Sequence, residues 1–134
     1  MRGFLDTNVL VSAFATRGLC ADLLECVLLE HDLILGRSVL RELNKALRQK
    51  VKLPAREAGE IVALLVDEAA ELVESSQSVS ANVDDDDAIV LGDAAHGATE
   101  AFVTGDAKVL ALGHLGGVRI VSPRAFWEML QAAK

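Results

Sequence analysis

Four short apolar runs punctuate this chain: "RGFLD", "DLILG", "EAFVTGD" and "VRIVSP", each bounded by Gly, Asp or Pro and separated by helix-length segments. Runs this short, apolar on both alternating faces, read as strands covered from two sides rather than as an amphipathic sheet edge. Between them, residues 19–31, 39–50, 55–70, 87–97 and 123–133 space their apolar residues as helices do. Ser38 is the expected N-cap of the second of these helices, Pro54 begins the third, and Gly97 ends the fourth. Residues 7–14 continue apolar as helix or loop, "ELVES" is a further candidate strand, Ser75–Ala81 a polar loop, and "GHLGG" a turn. A βαβαα(β)αβαβα order dictates an α/β fold of Rossmann-like type. Its sheet is expected to be mostly parallel and flanked by helices on both faces. Ligands of such sheets gather at the carboxyl ends of the strands.

The 134 residues suit a single domain spanning 1–134. Half of them are hydrophobic (51%) and mean hydropathy is +0.33, so apolar surface is left over for a second copy or a partner. No run approaches the roughly 18 apolar residues of a membrane helix, and Asp6 and Asn8 break the first run where a signal peptide would continue. Cys20 and Cys26, six apart in a helical pattern, are expected as two buried thiols in a reducing cytoplasm rather than a disulfide. The net charge of −7 disfavours a polyanionic partner, yet seven cations against one acid fall between Arg37 and Arg56. That stripe is either a solvated helix face or a phosphate-binding surface.

The acids carry the chemistry. "GFLDTN" and "AFVTGD" both end a core strand in a carboxylate, Asp6 and Asp106. Neighbouring parallel strands lie about 5 Å apart, so these two charges should converge in a small volume with no cation of the core beside them. Charges that close raise each other's pKa unless a metal ion stands between them. "VDDDDAIVLGDAAHGA" adds four acids at a helix start, more than a helix terminus needs for capping. Asp87 lies closest to the apolar pattern and is the best third member, with Asp84 or Asp86 as alternatives. Glu42, the lone acid of the basic stripe, is the fourth, unless it simply pairs with Arg41 or Lys45. An all-carboxylate set suits Mg²⁺ or Mn²⁺. Zinc is disfavoured, because His31, His96 and His114 each stand alone without ligand spacing. Neither a P-loop, a dinucleotide fingerprint nor a nucleophile elbow is present.

The blocks "FLDTNVLVSA", "SVLRELNKAL", "DDDDAIVLGDAAHGATEAFVTGDAKVL" and "VRIVSPRAFWEML" resemble, in order, those of the PIN-domain ribonucleases. The nearest branch is the prokaryotic toxins of VapBC-type toxin–antitoxin pairs. The resemblance implies a four-acid catalytic and metal site at Asp6, Glu42, Asp87 and Asp106, with Asn8 and Thr104 orienting the acids or a metal-bound water. It also implies an RNA substrate, a cognate antitoxin protein and a homodimer. The basic stripe, with Arg41, Lys45 and Arg48 on its helix, would then grip RNA phosphates.

Two other classes compete. A receiver-like phosphoacceptor domain would want adjacent acids after the first strand and an Asp after a middle strand, and Asp6 stands alone while "DLILG" ends in Gly. A non-catalytic PIN-like module that binds RNA or protein without cutting is the second.

Overall fold

The computed structural model of the chain describes residues 1–74 and 85–133. The loop expected at Ser75–Ala81 and the candidate Asp84 lie outside the described residues. In chain order the elements are β1 (Arg2–Leu5), α1 (Thr7–Ala15), α2 (Leu19–Glu30), β2 (Asp32–Gly36), α3 (Arg37–Gln49), α4 (Ala55–Glu68) and β3 (Glu71–Val73). They continue as α5 (Asp85–His96), β4 (Ala101–Val103), α6 (Ala107–Leu110), β5 (His114–Leu115), β6 (Val118–Val121) and α7 (Pro123–Ala132).

One sheet of six strands runs in the order β3-β2-β1-β4-β6-β5. All neighbours are parallel except β5, which pairs antiparallel with β6. "GHLGG" is therefore half strand: His114 and Leu115 pair with Arg119 and Val118, and Gly116, at φ +58°, makes the reversal. The remaining strands are those read from the sequence, β2 at its full length and the others shortened at their ends.

Alternation along β1 assigns the faces. Phe4 stacks on Phe102 of β4 with ring centroids 5.3 Å apart. The same face receives α5, because a Cβ on Gly97 at the end of that helix would meet Ile34 and Val73. On the opposite face Gly3 leaves room for the Phe126 ring of α7, which a Cβ there would approach to 3.0 Å. Helices thus cover both sides of strands whose side chains are almost wholly buried (Phe4, Leu5, Ile34, Leu35, Phe102, Val103).

The chain runs from β1 outward through β2 and β3, then crosses back to β4 on the other side of β1. The crevice at the carboxyl ends of β1 and β4 is the switch point of the sheet. Asp6 and Asp106 both lie there, since Leu5 pairs with Val103.

Several helix ends differ from the sequence reading. α3 starts at Arg37, with Gly36 in the cap position, and the Ser38 hydroxyl donates instead to buried Asp93 of α5 at 2.6 Å. Pro54 occupies the cap position of α4 rather than its first turn. α5 begins two residues early, so Asp85, Asp86 and Asp87 all lie in its first turn. At its other end the left-handed residue is Ala98 (φ +53°), not Gly97. Gly97 answers a packing need, because its Cβ would come 2.8 Å from the Ile34 methyl.

Candidate active site

Asp6 is the N-cap of α1: its extended backbone ends β1, and its Oδ1 accepts from the Thr7 amide at 2.8 Å. Thr104, fully buried just past β4, donates its hydroxyl to Asp6 Oδ2, also at 2.8 Å. Both carboxylate oxygens are thereby oriented, and no ion pair among the described residues involves Asp6. The group is only 9% exposed. Burial pushes its pKa up, the two hydrogen bonds pull it down, and the nearby Asp106 charge adds to the rise. A buried anion without a cation is the unstable partner in this arrangement.

Thr7 has a second task. Its hydroxyl donates to Glu42 Oε2 at 2.8 Å, tying α3 to the start of α1. Desolvation raises the Glu42 pKa, the Thr7 bond opposes it, and Asp6 and Asp86 add repulsion that the Arg41 charge partly offsets. Among the described residues neither Arg41 nor Lys45 forms an ion pair with Glu42, and Arg41 pairs with Glu74 at 3.5 Å. Asp106 repeats the Asp6 device. It caps α6, its Oδ1 accepting from the Lys108 and Val109 amides at 2.8 and 3.3 Å, while its own amide donates to Thr104 Oγ1.

These groups surround one cleft of about 380 Å³, lined by Asp6, Thr7, Asn8, Glu42, Asp87 and Asp106 and walled by Lys45, Ala46, Gln49 and Lys50 of α3 and its end. The structure thus brings together the four acids read from the sequence, with Asn8 exposed at the rim and Thr104 beneath Asp6. Asp86 is exposed beside Asp87, near enough for its charge to act on Glu42. The convergence is looser than strand spacing alone suggests: among the described residues, no three of these carboxylates bring oxygens within 4.8 Å of one another. The donor set is all hard oxygen, with neither Cys nor His on the wall, which fits Mg²⁺ or Mn²⁺ and not zinc.

Of the basic candidates, Lys45 lines the cleft, whereas Arg41 faces a separate groove between α3 and α4. Arg48 is exposed on α3 outside the cleft wall. Sequence reasoning missed Thr7, whose contact with Glu42 spans two elements, and Asp93. The latter is 1% exposed against the start of the Glu42 helix. A lone acid on the buried side of "AIVLGDAAH" was its only signal.

A PIN domain family model matches residues 2–108, a span that holds all of these acids. The chain belongs to the PIN domain family. PIN domains are in general nucleases and typically use divalent metal ions. This PIN domain is similar in fold to a chain of the crystal structure of VapBC2 from Rickettsia felis bound to a DNA fragment from their promoter. The two share 13% identity over 91% of this chain and 98% of that one, with a TM-score of 0.67. At that identity the likeness is one of fold. No curated protein sequence matches this PIN domain.

Proposed function

We propose that this PIN domain is a Mg²⁺- or Mn²⁺-dependent endoribonuclease with Asp6, Glu42, Asp87 and Asp106 as its catalytic, metal-holding acids. The observation that carries the reading is the single cleft at the sheet's switch point, where these carboxylates face Lys45 and Lys50. Four acids would repel a phosphodiester unless cations offset them, and a buried Asp6 has the same need. One requirement explains both.

Divalent ions held there would lower the pKa of an attacking water and offset charge building on the phosphate. The chain's own residues do the rest. Thr7 and Thr104 fix the Asp6 oxygens by hydrogen bonds that favour the ionised form. Thr7 also fixes Glu42. Asp106 is held by the amides of α6, so its charge is aimed before any ligand arrives. Lys45 and Lys50 supply the grip on flanking phosphates, with Arg41 and Arg48 extending the basic surface.

The company of similar folds supports a cellular role. The VapBC2 likeness supports a toxin of a type II toxin–antitoxin pair, with an antitoxin protein as partner and the cytoplasm as its setting. The exposed Leu64 (49%) and Val66 (39%) on α4 offer apolar surface for a homodimer or that partner. No helix among the described residues is long and apolar enough to cross a membrane.

The test is cleavage of a mixed RNA substrate in Mg²⁺ by the purified chain and by Asp6→Asn. Loss of at least about a hundredfold in the variant is expected, as for removal of one group that acts directly in catalysis. Equal cleavage by both would remove the nuclease assignment. RNA binding without cleavage by either would instead favour the non-catalytic module.

A further inference from the structure

At the amino end of β1, opposite the end that carries Asp6, a second cluster of metal-ligating side chains sits at the end of α2. Cys26, Glu30 and His31 bring a sulfur, a carboxylate oxygen and a ring nitrogen all within 4.8 Å of one another. Cys26 and Glu30, four apart, stand one above the other on a helix face, with Sγ 3.9 Å from Glu30 Oε2. His31 is the residue at which α2 ends. Its extended backbone (φ −136°) turns the chain toward β2 while its ring stays beside the last helical turn. In the sequence alone His31 stands apart from other ligands and Cys26 reads as a buried thiol. In the structure Cys26 is half-buried, unlinked by any disulfide, and next to the imidazole.

Two independent observations point to a cation here. First, His31 Nε2 is buried and has no hydrogen-bond partner; it offers a lone pair when the ring proton sits on Nδ1 and is donated to the Met1 amine, 3.3 Å away, in its neutral form. A buried ring nitrogen without a partner costs stability unless something binds it. Second, apart from the Met1 amine, the groups about this helix end are negative. The C-terminus of a twelve-residue helix carries partial negative charge, and no basic residue of that helix's last turn offsets it. Asp22 and Glu25 join Cys26 and Glu30 around an adjoining hollow of about 230 Å³, walled by Trp127 and free of Lys or Arg.

We propose that Cys26, Glu30 and His31 bind a zinc ion at the end of α2, tying the last helical turn to its cap residue. Sulfur, imidazole and carboxylate together are the donors of zinc, whereas Mg²⁺ and Mn²⁺ belong to the all-oxygen cleft. Three protein ligands leave a fourth position for water or for Asp22, one turn before Cys26 on the same ridge. Binding requires loss of the thiol proton, so affinity falls in acid.

Cobalt(II) added to the metal-free full chain reads the site directly, because a thiolate ligand gives a sulfur-to-cobalt charge-transfer band in the near ultraviolet. One equivalent should produce that band, and zinc should abolish it by displacement. The band should vanish in Cys26→Ser and persist in both Cys20→Ser and Asp6→Asn, which separates this site from the acid cleft. Zinc should raise the melting temperature of the parent chain but not of Cys26→Ser. Glu30→Gln, at an exposed position, keeps the test decisive if Cys26→Ser fails to fold: its cobalt affinity should drop at least about tenfold. A parent chain without the band, a band that survives Cys26→Ser, or unchanged affinity in Glu30→Gln would overturn the proposal.

Discussion

At the residue scale, Asp6 shows how a site can be read from a break in a pattern. No basic residue near "FLDTN" answers its charge, and among the described residues hydrogen bonds from Thr7 and Thr104 do so instead. Its carboxyl pKa is raised by burial, so the ionised form costs stability at neutral pH. That cost is complete above the raised folded value and fades as pH falls through it toward the unfolded value, where the carboxyl is neutral in both states. Asp6→Asn removes the charge and keeps an oxygen that accepts from the Thr7 amide, while its NH₂ can only donate to Thr104 Oγ1, whose hydroxyl must turn away. Without divalent ions it should melt a few degrees higher at pH 7, equivalent to about 1 kcal/mol, with the gain shrinking in acid. A thermal scan across pH checks this. Removing the support has the opposite sign: Thr104→Val strips one donor from Asp6 and an acceptor from the Asp106 amide. It should cost about 1–3 kcal/mol in denaturant unfolding. Which Asp of the acidic run enters the cleft was less legible. A helix that begins two residues early turns Asp86 and Asp87 toward neighbouring positions, and only packing separates them.

At the scale of elements, the strands were legible because burial on two faces leaves continuous apolar runs, and the helices because 3.6-residue spacing persists in each. Helix ends were not, since they answer to distant neighbours. Gly97 looks like a helix terminator, yet the left-handed position belongs to Ala98 and the glycine makes room for Ile34. Ala98→Gly should therefore stabilise the chain by about 1 kcal/mol, by relieving the left-handed strain of an L-residue. Gly97→Ala should destabilise it despite improving helix propensity. Equilibrium unfolding of the two variants decides between packing and propensity. The start of α3 gives the same lesson. Ser38 reads as a cap but bonds Asp93, and a Cβ on Gly36 would come within 2.6 Å of that Asp93 carboxylate. Glu42 rides on this helix, so a buried pair in α3 and α5 fixes where an acid of the cleft can stand.

At the scale of the whole molecule, an acidic chain presents a short basic wall to one side of its acid cleft. Net charge alone is a poor guide to its partner, because the lysines act at close range while the distant acids are screened. Lys45→Glu with Lys50→Glu should weaken RNA binding most at low salt and flatten its salt dependence by about two contacts. Binding curves from low to moderate salt check that. The most direct measurement of the cleft's role is an Mn²⁺ titration of the full chain followed by electron paramagnetic resonance. The parent chain should remove free Mn²⁺ from solution, and Asp6→Asn and Asp106→Asn should each bind it at least about tenfold more weakly. Equal Mn²⁺ binding by the parent chain and both variants would contradict a cation site built on these acids.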